Sequence, residues 1–216
     1  LSNMIDGMDI RYNEIKDGII TVPLYRGIYL ENILKKLKNT NIIKDENYKK
    51  IVNDLEIKEN DYANVNIKGL NAELRGYQKV GYRWLKNLDY YHLGGILADD
   101  MGLGKTVQIL AVILSYINEN GKEAKPSIVI CPSSLSLNWL NEVKKFAPSL
   151  KCIAIGGNAI QREKQIDKIP SCDIVITSYE LLNRGIDLYK EKNYEFKYAI
   201  ADEAQYIKNN NTQNAR

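Results

Sequence analysis

Met101-Gly102-Leu103-Gly104-Lys105-Thr106 contains the residue types that a phosphate site needs, in a workable order. Two glycines let the backbone approach an anion. Successive amides and a helix N-terminus attract negative charge, and a lysine followed by a hydroxyl completes the set. Read this way, Met101 to Thr106 cradle the phosphates of ATP, Lys105 reaches the β- and γ-phosphates, and the Thr106 hydroxyl ligates Mg²⁺. Asp99 stands where the general pattern G-x-x-x-x-G-K-[ST] has its first glycine. The plainer reading is a glycine turn with a surface lysine. The flanks argue against it, because Gly95-Ile96-Leu97-Ala98 reads as a short buried strand. On the other side, Val107, Leu110, Ile113, Leu114 and Ile117 mark a helix beginning near Lys105.

A second constellation, Asp202-Glu203-Ala204-Gln205, follows the apolar run Tyr198-Ala199-Ile200-Ala201. One carboxylate there can hold hydrated Mg²⁺ and the next can polarise an attacking water, so Asp202 is assigned to the metal and Glu203 to the water. An acidic strand end facing solvent is common by itself. Together with the phosphate loop the pair gains meaning, since hydrolysis needs both.

These groups need a scaffold, and from residue 70 onward the pattern supplies one. Leu74, Tyr77, Val80, Trp84, Leu85 and Leu88 predict an amphipathic helix. Further strands are predicted at Ser127 to Cys131, Cys152 to Ile155, Asp173 to Thr177 and Tyr198 to Ala201, with a helix over Leu137 to Phe146. Short apolar strands separated by helices imply an α/β fold with a mostly parallel central sheet covered on both faces. Ligands of such sheets bind at the carboxyl ends of the strands. The earlier residues form a small, mainly helical segment. Ile19 to Val22 reads as a strand ending at Pro23, Ile28 to Leu37 as a helix, and Asp45 as the cap of a helix with Tyr48, Ile51, Val52 and Leu55 on one face. Lys58 to Gly69 is polar enough to be a linker, so the expected division is 1–66 and 67–216.

The ordered set of motifs resembles the Swi/Snf-type ATPases of helicase superfamily two. It rests on Leu74-Arg75-Gly76-Tyr77-Gln78, the run Gly94 to Thr106, Ile130-Cys131-Pro132-Ser133-Ser134-Leu135 with Asn138-Trp139, Ile176-Thr177-Ser178-Tyr179-Glu180, and Asp202 to Asn209. The resemblance covers about residues 70 to 216, and residues 19 to 60 more softly resemble the helicase-associated region that precedes the motor in bacterial members. It implies a RecA-like three-layer sandwich and removes the objection at Asp99, since the family usually has Asp there. It also implies that Gln78 recognises adenine, and that Ser133, Ser134, Thr177 and Ser178 contact the DNA backbone. From the residues alone those hydroxyls could equally cap the helices that follow. Gln205 departs from the commoner His, which bears on contacts to a second lobe. Trp139 could stack on a base, but its spacing with Leu140 and Val143 places it in the core; Tyr179 is ambiguous in the same way.

The function implied is the ATP-binding lobe of a translocase that moves on double-stranded DNA, with a DNA-bound protein as a further partner. A strand-separating DNA or RNA helicase and a nucleotide-dependent binding switch are the alternatives; Glu203 speaks against the switch. Residue 1 is Leu and Asn214-Ala215-Arg216 follow a polar stretch, so the chain is expected to stop before a second RecA-like lobe that hydrolysis requires. Thirty basic residues against 27 acidic ones neither demand nor exclude nucleic acid. No run approaches the ~20 apolar residues of a membrane span, so no membrane partner is expected. Cys131, Cys152 and Cys172 lack C-x-x-C spacing and His92 is the single histidine, reading as a surface or loop residue. Buried free thiols in a reducing bacterial cytoplasm, at the nucleoid, are the expectation.

Overall fold

The computed structural model of the chain describes residues 15–16, 19–20, 23–35, 42–56 and 65–207. They divide into two compact units: the described residues up to 56 with Arg83–Ile96, and residues 65–82 with 97–207.

In the first unit, β1 (Ile15–Lys16) and β2 (Ile19–Ile20) pair antiparallel. The strand expected over Ile19 to Val22 is thus half of a pair, and its last two residues lie outside the described set. Helix α1 (Leu24–Leu34) starts directly after Pro23, earlier than the apolar spacing from Ile28 suggests; the expected end at Leu37 lies outside the described residues. Helix α2 (Glu46–Leu55) opens as predicted, with the Asp45 carboxylate accepting from the Tyr48 amide at 2.8 Å. Buried Glu31 of α1 accepts from Lys44 Nζ at 2.7 and 2.8 Å and from the Tyr48 hydroxyl at 3.2 Å. The Lys44 ammonium thereby holds the Glu31 carboxyl below its ordinary range. Helix α3 (Gly76–Tyr90) contributes its second half to this unit, and Tyr91, just beyond it, donates to Asp54 Oδ2 at 2.6 Å. Most of the expected linker, residues 58–64, lies outside the described residues, as do Lys208 and Asn209.

The second unit is a four-stranded parallel sheet between two helical layers. Its elements are α4 (Lys105–Asn120), β3 (Ser127–Cys131), α5 (Ser136–Phe146), β4 (Cys152–Ala154), α6 (Ala159–Ile166), β5 (Ile174–Ser178), α7 (Tyr179–Glu191) and β6 (Ala199–Ala201). The strand order is β4-β5-β3-β6. Alternation along each strand splits the core in two. Val129, Cys131, Ile174 and Ile176 face α4 and α5, packing with Leu110, Ile113, Leu114, Trp139 and Val143. Ile128 and Val175 face α6 and α7, packing with Ile166, Ile169 and Tyr189. Strands buried on both faces explain why these runs are apolar throughout rather than alternating.

The predicted strand at Gly95-Ile96-Leu97-Ala98 is not formed; these residues join no ladder, and Ile96 is 83% exposed. A strand exists only as a member of a ladder, and no described strand pairs with this one. The sheet ends at β6, where Ala199 and Ala201 are exposed. Two helices, α6 and α7, had no individual prediction. The first had a legible signal: Asn158 and Gln161 form a reciprocal capping box. The cysteines are free, Cys131 buried as expected, while Cys152 and Cys172 are only partly buried. Burial pushes the thiol of Cys152 up to about 12. Among the described residues no helix is long and apolar enough to cross a membrane.

The burial pattern sets a contrast that unfolding can check. Leu110 is fully buried and Leu137 is 70% exposed. Leu110→Ala should lower unfolding stability by about 2–5 kcal/mol and Leu137→Ala by less than about 0.5 kcal/mol, read as a shift in denaturant midpoint. Equal shifts would contradict this placement of the core.

Candidate nucleotide-binding site

The glycines of Met101 to Thr106 adopt the backbone that a phosphate cradle needs. Gly102 has φ +84° and Gly104 φ +76°, the left-handed region that favours glycine. Gly104 is the N-cap of α4 and offers no side-chain acceptor, so the first amides of the helix face outward uncapped. Lys105 Nζ donates to the main-chain oxygens of Asp99 at 2.8 Å and Asp100 at 3.1 Å, acceptors belonging to the loop itself. Thr106 follows in the first turn, partly exposed. Met101 is 90% exposed and Leu103 lies at the surface.

The start of α3 grips this loop. Gln78 Nε2 donates to Leu103 O at 2.9 Å and Tyr77 Oη to the same oxygen at 3.1 Å. Gln78 Oε1 accepts from the Arg75 amide at 2.9 Å. The φ of Gly104 favours glycine, and a Cβ there would stand 2.5 Å from Gln78 Nε2, so the Gln78 amide would have to shift off Leu103 O. Gln78, expected to read adenine, is therefore a buried residue engaged with its own chain at both ends of its amide. Tyr77 was not singled out for this contact, and nothing in its spacing distinguishes it from a core residue.

Asp99 also has a structural account. Its Oδ2 accepts from Nε2 of Gln108, a fully buried residue of α4, at 2.8 Å. The carboxylate ties the start of the loop to the helix that ends it, which a glycine at 99 could not do. Gly81 makes room, since a Cβ there would lie 2.0 Å from Gln108 Oε1.

The carboxylate pair follows β6. Register pairs Ile130 with Ala201 and Cys131 with Ser178, so Asp202, the Ser133–Leu135 turn and Tyr179 emerge at one end of the sheet. Asp202 is held on several sides. Its amide donates to Ile130 O at 2.8 Å, its Oδ2 accepts from Trp139 Nε1 at 2.8 Å, and its Oδ1 from the Glu203 amide at 2.9 Å. The Tyr179 hydroxyl donates to Asp202 O at 2.8 Å. Burial, and then the Asp202 charge, push the Tyr179 phenol up to about 12, so it remains a donor. Glu203 has φ +52°, a strained backbone for a non-glycine residue and one found at functional sites. Gln205 Nε2 donates to Glu203 Oε2, which gives the departure from His a local role.

The four hydroxyls expected to meet DNA separate into two pairs. Ser133 and Ser134 are exposed, in the 3₁₀ turn before α5. Thr177 and Ser178 are not available: Thr177 is fully buried and Ser178 is 2% exposed. Thr177 points to the face of β5 covered by α7, and the Ser178 hydroxyl caps α7 by accepting from the Leu181 amide at 3.2 Å. The side chains of this pair serve packing and capping. Trp139 is core, 4% exposed, as its spacing indicates; that its indole N–H reaches Asp202 was not legible, because the contact spans 63 residues. His92 is exposed in the loop after α3.

Residues 77–216 match the family model described as the SNF2-related domain, and residues 1–65 the one described as bacterial SNF2 helicase associated. Among curated proteins, the TATA-binding protein-associated factor MOT1 of Saccharomyces cerevisiae is 38% identical over 157 residues, which is 68% of this chain and 8% of that protein. An uncharacterized ATP-dependent helicase of Mycoplasma genitalium is 41% identical over 140 residues, 64% of this chain and 13% of its own length. The chain thus spans about a tenth of such relatives. Among solved structures, the Sulfolobus solfataricus SWI2/SNF2 ATPase core in complex with double-stranded DNA superposes with a TM-score of 0.60 at 39% identity, covering 69% of this chain and 30% of that one.

Proposed function

Because this chain belongs to the SNF2-related family, we propose that residues 67–216 are the ATP-binding lobe of an ATP-dependent translocase on double-stranded DNA. Residues 1–66 are then the end of the associated region that precedes the motor in a bacterial protein. The observation that carries the reading is the loop before α4: two left-handed glycines, a helix N-terminus without a side-chain cap and a lysine bonded to carbonyls of that loop.

ATP fits this cradle because phosphate oxygens can replace the two carbonyl acceptors of Lys105 Nζ while the first amides of α4 face the same anion. Mg²⁺ fits the donor set, since a threonine hydroxyl and a carboxylate are the hard oxygen ligands it takes. Thr106 and Asp202 would hold it, and when bound it neutralises charge on the β- and γ-phosphates. Glu203 accepts a proton from, and orients, the attacking water, with Gln205 steadying its carboxylate. The Ser133–Ser134 turn offers hydroxyls and amides to a phosphate backbone without reading bases. A second lobe, supplied by a longer chain of the kind the relatives have, closes the site and provides the arginine that hydrolysis needs.

The nucleotide reading is tested by competition. Tripolyphosphate should displace a fluorescent ATP analogue from this chain about as well as ADP does, and AMP should fail. Displacement by AMP as effective as by ATP would move the site away from the loop.

A further inference from the structure

The indole of Trp139 makes a contact that core packing does not explain. Its ring is buried among Leu110, Val143 and the sheet, yet its one polar atom is aimed at Asp202 Oδ2, 2.8 Å away. An indole N–H can only donate. With the Glu203 amide on Oδ1 at 2.9 Å, each carboxylate oxygen has one donor and keeps a lone pair for a further partner. The carboxylate is thus fixed in rotation by one buried side chain and one amide, while its residue is pinned by Tyr179 at the carbonyl.

Trp139 also has a defined place on its helix. It lies in the first turn of α5, and α5 begins at Ser136, directly after the Ser133–Leu135 turn that bears the two exposed serines. A phosphate gripped at that turn acts on the end of α5 that carries Trp139. Between Ser134 and Trp139 there is no flexible connection, only continuous helical backbone from the 3₁₀ turn into α5.

Resting on the reading of this chain as an ATP lobe, we propose that Trp139 is a positioning residue for Asp202, and that it links duplex DNA held at Ser133–Ser134 to Mg²⁺-nucleotide held at Asp202. Each ligand then strengthens the other. Such coupling is reciprocal by thermodynamic necessity, so DNA must lower the Mg²⁺ requirement for nucleotide by the factor by which Mg²⁺-nucleotide tightens DNA. Phenylalanine in place of tryptophan keeps a ring in the core and removes the donor together with part of the ring volume, a packing loss that the affinity in EDTA reads separately.

The experiment uses the protein carrying both lobes and reads binding rather than turnover. A fluorescent ATP analogue is titrated with Mg²⁺, with and without a DNA duplex, and its affinity is also measured in EDTA. Trp139→Phe should raise the Mg²⁺ midpoint roughly 10- to 100-fold, the loss of one hydrogen bond to a charged group. Affinity in EDTA should be unchanged, and the duplex should no longer shift the midpoint. A midpoint within about twofold of the parent, or equal losses with and without Mg²⁺, would reduce Trp139 to packing and overturn the proposal. A second readout is made in the parent protein. The indole ¹⁵N–H signal of Trp139, assigned as the one that Trp139→Phe removes, should move on adding Mg²⁺-nucleotide and also on adding duplex. A signal indifferent to both overturns the proposal in the parent protein. If the parent binds no Mg²⁺-nucleotide at all, the ATP-lobe reading fails and takes this inference with it. Binding in the parent with an unaltered variant defeats the inference alone.

Discussion

Joined to a second lobe, this chain is expected to hydrolyse ATP faster than it does alone by a factor on the order of 10³ to 10⁵. Phosphoryl transfer leaves little covalent work for the protein. The rate comes from positioning and from charge stabilisation at the transferring group, of which an arginine supplied across the cleft is worth that factor. Around the loop the structure places a lysine, a threonine and amides, with carboxylates after β6. Arg75 lies beside Gln78, with its amide committed to the Gln78 carboxamide. A steady-state phosphate-release assay on the two proteins, with saturating duplex DNA, measures the ratio. Fast turnover by the short chain would make it a self-contained ATPase and remove the need for a partner lobe.

The second large effect separates binding from chemistry. Lys105→Ala should weaken ATP binding roughly 10- to 100-fold, because it deletes charge-assisted hydrogen bonds to phosphate. Glu203→Gln should leave ATP affinity within about twofold and lower turnover of the two-lobe protein by on the order of 10² to 10⁴, the usual value of a positioned general base. The backbone motivates the distinction: Lys105 opens α4 beneath the loop, while Glu203 sits at φ +52° beyond β6, held by Gln205. Isothermal titration and single-turnover hydrolysis give the two numbers. Equal loss of affinity in both variants would defeat the division of roles.

The sequence was most legible where one local rule sufficed. Helix α4 starts at Lys105, the predicted place, because the left-handed backbone at Gly102 and Gly104 ends the loop and an apolar helical spacing follows. β3 spans the predicted residues Ser127–Cys131, since an apolar run halted by Pro132 leaves few alternatives. Legibility failed where a partner decides the outcome. Gly95 to Ala98 has strand composition but no strand beside it. Thr177 and Ser178 sit one residue apart in a motif, yet the pleat sends the first beneath α7, and the second is spent as a cap. No spacing rule could connect Trp139 with Asp202, or Gln108 with the carboxylate at Asp99, since those pairings follow from how α4 and α5 lie on the sheet. The motifs thus located the chemistry, and tertiary packing determined which of their polar atoms remain available for it.

The proposal that this lobe drives a motor tracking on duplex DNA turns on nucleic-acid-dependent ATP hydrolysis. The two-lobe protein should be assayed at fixed ATP with duplex DNA, single-stranded DNA and RNA at equal phosphate concentration, at two salt concentrations. The duplex should stimulate hydrolysis most, irrespective of its sequence, and the stimulation should fall steeply as salt rises, as expected of contacts to phosphates. Hydrolysis equally fast without nucleic acid, or stimulated more by RNA or a single strand than by the duplex, would contradict it.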